Sequence, residues 1–516
     1  MSTFLSAAGA DVDVAVIGSG FGGAAMACRL AKAGKKVAIL EQGKEYPTGR
    51  NEYEATGHGT ATIRHGHFWV DIGAGMDVIR GIGVGGGSLH YFGVRLRTHP
   101  EIFDHPRWPR SINRRVLDPY YDLAAEMLPA SQVLPNPVVG PPARSAAFIA
   151  AAKNCRRCVG EPHHVPIAVN TAEDSVMTAA GVLQTRCVYC GECLLGCPAS
   201  ESFSGNVNAR ALLTLNYLAV ARQAGAAIYP LNRVRVIRKV KEGFEVDLVV
   251  LEPGTNADDE IGQVGALRAK QVVLGAGTMG SVEILLKSRD AGTLPPLSPM
   301  LGRHFSGNGD FLIPKTVHTP QDLQPKSGPT ITVGADFSTK DHKIFIEDFG
   351  LVPFVEAVIG TRALTASTLD THSIGYLGMG TDAGDGVLHL HDGRIRLNWD
   401  PTGSLPLYKE LTACLKEMSQ QLAGDYNRPK HYNPIIGTGL VTAHPLGGAV
   451  MSDTAETGVV NPRGEVHGVP GLYVADGSII PTALAVNPSY TITALAERVA
   501  FLMLHGREMT AHDHVR

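Results

Sequence analysis

The sequence predicts an α/β protein, α+β overall, in which a Rossmann-like dinucleotide domain is completed by a sheet-based domain for substrate. Three observations carry that prediction: a strand–glycine–helix–strand unit at the N-terminus, a second strand–glycine–helix turn near residue 275, and strand-like alternation without a compact motif through 314–439. A chain of 516 residues is too long for one core, since domains run to about 100–200 residues. Glycine is over-represented, at 59 of 516 with no triplet period, against about 7% in ordinary chains. Such usage is expected where backbone approaches a ligand closely or turns with positive φ.

Residues 12–18 (VDVAVIG) are a short apolar run of the kind buried on both faces of a parallel sheet. In the loop Gly18-Ser-Gly20-Phe-Gly22-Gly23, Gly18 makes the tight turn and Gly20 lets backbone approach a pyrophosphate at a helix N-terminus. Gly23 lets the helix that follows pack close. A second apolar strand over 37–40 ends at Glu41, an acid at the spacing that reaches ribose hydroxyls. Residues 81–93 (GIGVGGGSLHYFG) put five glycines into seven positions, which strips side chains from a surface against which a flat group can lie. In 233–241 (RVRVIRKVK) valines alternate with basic residues, as in a strand with one buried and one solvated face. The run 271–277 (QVVLGAG) leads into a helical pattern, so the dinucleotide domain is discontinuous. Its pieces are 1–110, 200–313 and 440–516, with 111–199 an insertion carrying a cysteine cluster and 314–439 the substrate domain.

With 46 basic against 49 acidic residues, a formal charge of −3, the chain offers no global field for nucleic acid. No stretch reaches about 18 uninterrupted apolar residues, so no transmembrane segment is expected. The first residues lack the basic and apolar regions of a signal peptide. Eight cysteines are too sparse for a disulfide scaffold. A cytoplasmic protein is expected.

Three further elements lie near the C-terminus: His444-Pro-Leu-Gly-Gly, then 471–478 (GLYVADGS), then a helix entered through Asn487-Pro488. The N-terminal dipole of that helix can stabilise negative charge on a reduced cofactor ring. Together with 12–41, 81–93 and Gly307-Asn308-Gly309-Asp310, these segments resemble the glucose–methanol–choline (GMC) flavoprotein oxidoreductases, in particular the cholesterol-oxidase-like branch. The resemblance covers roughly half the chain. It implies FAD, held in a Rossmann-like domain, and oxidation of an alcohol by hydride transfer to flavin N5. By residue, it implies that Gly18, Gly20, Gly23 and Glu41 hold the ADP half, that Gly85, Gly86 and Ser88 meet the pyrophosphate and flavin, and that Asp476 meets the ribityl chain with Pro488 beside the cofactor. His444 and Asn487 fall on the catalytic pair. The carboxylate that cholesterol oxidases place over the steroid ring has no alignable counterpart. His90, in Val84-Gly-Gly-x-Ser-x-His90, departs from the cholesterol-oxidase pattern and resembles relatives whose histidine is bonded to the flavin. Its alternative is an ordinary histidine hydrogen-bonded near the ring.

Cys187-x-x-Cys190-x-x-Cys193-x-x-x-Cys197-Pro has the spacing of a bacterial ferredoxin run, which holds a [4Fe–4S] or, with three ligands, a [3Fe–4S] cluster. The alternatives are a zinc site and free thiols; Cys155 and Cys158 are the nearby reserve. His65, His67, His163 and His164 read as loop histidines without a third ligand, and Cys28 and Cys414 as core. The expected function is oxidation of the CH–OH group of a hydrophobic, sterol-like alcohol by FAD, with electrons leaving through the iron–sulfur cluster to an acceptor protein. Its alternatives are a non-catalytic electron carrier or redox sensor, and an O₂-using alcohol oxidase with structural zinc or free thiols.

Overall fold

The computed structural model describes residues 6–46, 62–65, 68–135, 140–172, 174–191, 193, 197, 208–252, 262–324, 327–350, 371–426, 440–510 and 513. The first strand, β1 (Asp11–Ile17), leads into helix α1 (Phe21–Lys32) and then into strand β2 (Val37–Leu40). β1 pairs in parallel with β2, Val14 opposite Val37 and Ile17 opposite Leu40. On its other side β1 pairs in parallel with β3 (Gly262–Leu274), Ile17 opposite Leu274. β2 and the last four residues of β1 are buried throughout, as in the interior of a parallel sheet covered on both faces, which is why they are unbroken apolar runs. Gly18 takes φ +92°, and a Cβ there would stand 2.4 Å from the Gly275 carbonyl. A Cβ on Gly23 would stand 2.1 Å from the Gly18 carbonyl. The glycine spacing is therefore a packing requirement between α1, β1 and the end of β3.

In order, the seven-stranded sheet runs Ala227–Tyr229, β2, β1, β3, Phe244–Leu251 and Asn232–Lys239, with Leu472–Val474 pairing with β3. The last strand carries the alternation expected for 233–241. β3 passes directly into helix α2 (Gly277–Asp290), and the C-terminal helix α3 (Ser489–His505) packs against α1. The ends of β1 and β3 lie side by side, the Gly275 N–H donating to the Ile17 carbonyl at 2.8 Å. This leaves a crevice at the carboxyl ends of parallel strands, where ligands of such sheets bind.

A second, six-stranded antiparallel sheet is ordered Asp425–Tyr426, Phe311–His318, Ser373–Gly380, Ile344–Phe349, Val333–Asp336 and Val159–His164. The helix Leu405–Gln421 lies against it. The fold is the mixed α/β architecture expected, a Rossmann-like domain with a sheet-based domain. His163 and His164 are not in a loop: they pair with Gly334 and Val333 in a mostly exposed strand at the sheet edge. His65 likewise lies in a strand, Thr62–His65, and His67 lies outside the described residues. Cys28 and Cys414 are buried on α1 and on the helix Leu405–Gln421. Among the described residues no helix is long and apolar enough to cross a membrane.

Candidate active site

A cavity of about 300 Å³ runs from the ends of β1, β2 and β3 to the inner face of the second sheet. Its dinucleotide end is lined by Gly18, Gly20, Phe21 and Glu41 and its far end by His90, Asp310, His444 and Asn487. Two glycine loops meet here, since a Cβ on Gly86 would stand 2.8 Å from Gly20 Cα. α1 begins at Gly20 without a side-chain cap, which leaves first-turn N–H groups for an anion.

Glu41 is buried, and burial raises its pKa. Oε2 accepts from the Ser19 N–H at 3.1 Å and the Ser19 hydroxyl at 2.7 Å, and Oε1 accepts from the Gly43 N–H at 2.9 Å. It therefore braces the glycine loop, and its remaining lone pairs can still accept from a ribose. Asp476 is buried as well and also lines the cavity, accepting from the Ser281 hydroxyl at 2.5 Å and from the Ser478 N–H at 2.9 Å. Ser88 turns away from the cavity: its hydroxyl donates to the Gly85 carbonyl at 2.8 Å, and the Gly85 N–H donates to Ser19 Oγ at 3.0 Å. Gly85 and Ser88 thus shape the loop, while Gly86 and Gly87 form the wall. His90 lines the cavity; burial, with Arg210 adding to it, pushes its pKa down to about 3, so the imidazole is neutral. Arg210 staples this loop by donating to the carbonyls of Ser88, Leu89 and Tyr91.

At the far end His444 Nδ1 lies 2.8 Å from Asp310 Oδ1. The other Asp310 oxygen accepts from the Thr442 hydroxyl at 3.0 Å and the Ala443 N–H at 2.9 Å. Asp310 is presented by the Gly307–Asp310 turn, where Asn308 takes φ +59° and a Cβ on Gly309 would stand 2.2 Å from the Gly380 carbonyl. Asn308 Oδ1 accepts from the N–H groups of Leu484 and Ala485, and Nδ2 donates to the Val486 carbonyl. One asparagine thereby ties the turn that holds His444 to the segment that presents Asn487.

Asn487 Nδ2 donates to Glu347 Oε2 at 3.3 Å. Glu347 is fully buried, and burial, helped by Asp348 and Asp310, raises its pKa well above the carboxylate range. Among the described residues neither Glu347 Oε1 nor Asn487 Oδ1 has a hydrogen-bond partner. Sequence reasoning missed Glu347 and the part played by Asp310. The available signal was the adjacent pair Glu347-Asp348 inside the otherwise apolar strand Ile344–Phe349, where neighbours point to opposite faces. Asp348 goes to the buried Arg144, at 3.1 Å. Leu312, Phe349 and Leu377 complete an apolar wall beside Asn487.

Burial and the neighbouring Cys193, Cys190 and Cys197 raise the Cys187 thiol well above its ordinary range, so the four lie near one another. Yet among the described residues no group of three or more Cys, His, Asp or Glu side chains is arranged to hold a metal ion. Spacing brings thiols together without fixing the direction of each sulfur, and Glu192, 194–196 and 198–207 lie outside the described residues. The expected iron–sulfur site is therefore not supported. Cys155 acts instead on Cys158, whose pKa burial lifts to about 11, and on Cys414.

A glycine-lined anion cradle leading to a histidine–carboxylate pair defines a flavin-dinucleotide oxidoreductase, and the fit to FAD is good. Residues 13–324 match the family described as FAD dependent oxidoreductase, and the chain belongs to it. Residues 415–496 match the family described as GMC oxidoreductase. It is 29% identical to a cholesterol oxidase of Mycobacterium tuberculosis over 95% of this chain and 91% of the relative. It is 24% identical to the 2-methyl-1,2-propanediol dehydrogenase of Mycolicibacterium austroafricanum over 94% of each. Among solved structures, pyridoxine 4-oxidase from Mesorbium loti superposes with a TM-score of 0.65 at 17% identity, covering 96% of this chain and 99% of that one. The protein is an FAD-dependent alcohol oxidoreductase of the GMC type.

Proposed function

We propose that the enzyme oxidises the CH–OH group of a hydrophobic, sterol-like alcohol, with His444 as base and Asn487 as hydrogen-bond donor to the same oxygen. The observation that carries this reading is the pairing of His444 with Asp310 in the same cavity as Asn487, whose amide is held by Glu347. With Nδ1–H given to Asp310, Nε2 keeps its lone pair and can take the hydroxyl proton. The Asp310 carboxylate then stabilises the imidazolium that forms. Asn487 uses one amide hydrogen on Glu347, leaving the second for the substrate oxygen. A hydride leaves carbon readily only as that oxygen gains alkoxide character, so both residues act on the same step. FAD, when bound, supplies the hydride acceptor.

The apolar wall of Leu312, Phe349 and Leu377 supports a hydrophobic alcohol, as do the cholesterol-oxidase relatives. Glu347 supports a sterol-like one: it is a buried carboxyl bonded to the cavity-lining Asn487, where the sequence motifs had offered none. Gly18, Gly20, Gly23, Glu41, Gly86, Asp476 and Pro488 hold the dinucleotide in this reading, and Gly85 and Ser88 act through the loop they fold. His90, neutral and lining the cavity, is the residue for a covalent link to FAD. O₂ serves as acceptor in place of the iron–sulfur route, a choice the oxidase relatives support. A cytoplasmic location belongs to the same reading, supported by the sparse cysteines.

Purified enzyme offered 3β-hydroxysterols and short alcohols tests the proposal. The sterols should be oxidised with O₂ taken up and H₂O₂ released one for one, yellow colour should stay with acid-precipitated protein, and iron and sulfide should be absent. Oxidation of short alcohols alone refutes the substrate class, and stoichiometric iron with acid-labile sulfide restores the cluster.

A further inference from the structure

Arg95 follows the glycine-rich loop and is only 4% exposed. Its guanidinium carbon lies 5.4 Å from the centre of the Phe21 ring, 5.6 Å from Tyr91 and 5.8 Å from Tyr490. Among the described residues none of its three side-chain nitrogens has a hydrogen-bond acceptor. The adjacent acids are engaged elsewhere, Asp118 by Arg97 and Arg114 and Asp122 by Arg97. The contrast is Arg210, also stacked on Tyr91, whose N–H groups are used on three carbonyls. A guanidinium does not give up its charge, and three ring faces offset only part of the cost of burying it unpaired.

Its surroundings say what such a charge faces. Phe21 is the first residue of α1 and Tyr490 the second of α3, and neither helix has a side-chain cap. Phe21, Tyr91 and Ser489 line the cavity. Arg95 therefore sits one ring behind the wall, at the positive ends of two helix dipoles. The Phe21 ring also borders the slot between the two glycine loops, since a Cβ on Gly87 would stand 3.8 Å from it.

We propose that Arg95 is a buried counter-charge for the pyrophosphate of the bound dinucleotide, a positioning residue that acts through the aromatic wall at the start of α1. The inference rests on the FAD assignment and not on the identity of the alcohol. A fixed charge this close, in a medium shielded from water, is expected to be worth about tenfold in affinity.

The test uses full-length holoenzyme in a His90→Ala background, so that no covalent bond retains the dinucleotide. FAD release on dilution is followed by flavin fluorescence, and the bound pyrophosphate by ³¹P NMR. Arg95→Met should release FAD about tenfold more readily and move the ³¹P resonances, while the visible flavin spectrum stays put. Arg95→Lys should stay close to the parent, and Arg95→Gln, which keeps donors but no charge, should behave as Met. The two neutral variants are alternatives should one of them not fold. Unchanged release and ³¹P resonances in a neutral variant overturn the proposal, and so does a Lys variant as impaired as a neutral one, since shape and not charge would then be responsible.

Discussion

At the dinucleotide end of the cavity every carboxylate oxygen of Glu41 and Asp476 has a donor, drawn from Ser19, Gly43, Ser281 and Ser478. At the reaction end Glu347 Oε1 and Asn487 Oδ1 have none among the described residues, although both side chains are buried. A buried polar atom left alone costs about 1–3 kcal/mol, so the second arrangement is kept against stability. The first end uses its acids as struts that fix two backbone loops and leaves the amides to bind. The second leaves buried side-chain atoms without a partner.

The sharpest way to break this comparison is to remove the base. His444→Ala should slow flavin reduction by about 10²–10⁴-fold while FAD stays bound, because the dinucleotide end is untouched. Anaerobic stopped flow on an alcohol that reduces the native enzyme decides it, and native rates in the variant would refute the assignment. Asp310→Asn should follow with a loss of about 10–100-fold in kcat and little change in KM, since the imidazole remains but loses the partner that fixes its tautomer. A variant whose KM alone rises would make Asp310 a substrate-binding residue instead.

Gly23→Ala probes the other end. The added Cβ would stand 2.1 Å from the Gly18 carbonyl, a backbone atom that cannot move without opening the α1–β1 contact. FAD content after purification should fall at least severalfold, by a mechanism of the overpacking class that costs about 1–3 kcal/mol, with His444 chemistry intact in the fraction that retains flavin. Full FAD loading would show that the glycine loop tolerates what its spacing forbids.

The same division explains what the sequence could disclose. Gly23 and Glu41 were legible because a close helix and a braced loop are local demands, met within 24 residues of chain, and Gly18 because a positive-φ turn is local even though its tightest neighbour is Gly275. Asp310 and Glu347 were not, because each acts on a partner more than 130 residues away, and only the tertiary fold brings it to that partner. The strand Val159–His164 escaped for a related reason: with one edge solvated, its alternation is too weak to separate from a loop. The cysteine run shows the opposite case. Its spacing is a strong local pattern, yet ligation depends on where four sulfurs point, which spacing does not encode.

The smallest expected effect concerns Glu347 and sharpens the claim that the reaction end is held against stability. Its carboxyl ionises near pH 4.3 in an unfolded chain, and burial raises that pKa in the native state, with Asp348 and Asp310 adding to the shift. Below about pH 4.3 both states are protonated and the carboxyl has no special cost. As pH rises, the unfolded chain ionises while the native carboxyl stays neutral, so stability falls with pH until the native pKa is passed. Glu347→Gln removes that titration, and the variant should therefore melt above the parent by a margin that grows as pH rises above the unfolded carboxyl's range. Each kcal/mol corresponds to roughly 2 °C in a large chain. The glutamine mimics the neutral acid that burial favours, so its amide can still pair with Asn487 and flavin reduction should change by less than about threefold. A melting difference that is flat across pH 5–8 would show that Glu347 is ionised in the native protein, and the contrast between the two ends would then have to be drawn without it.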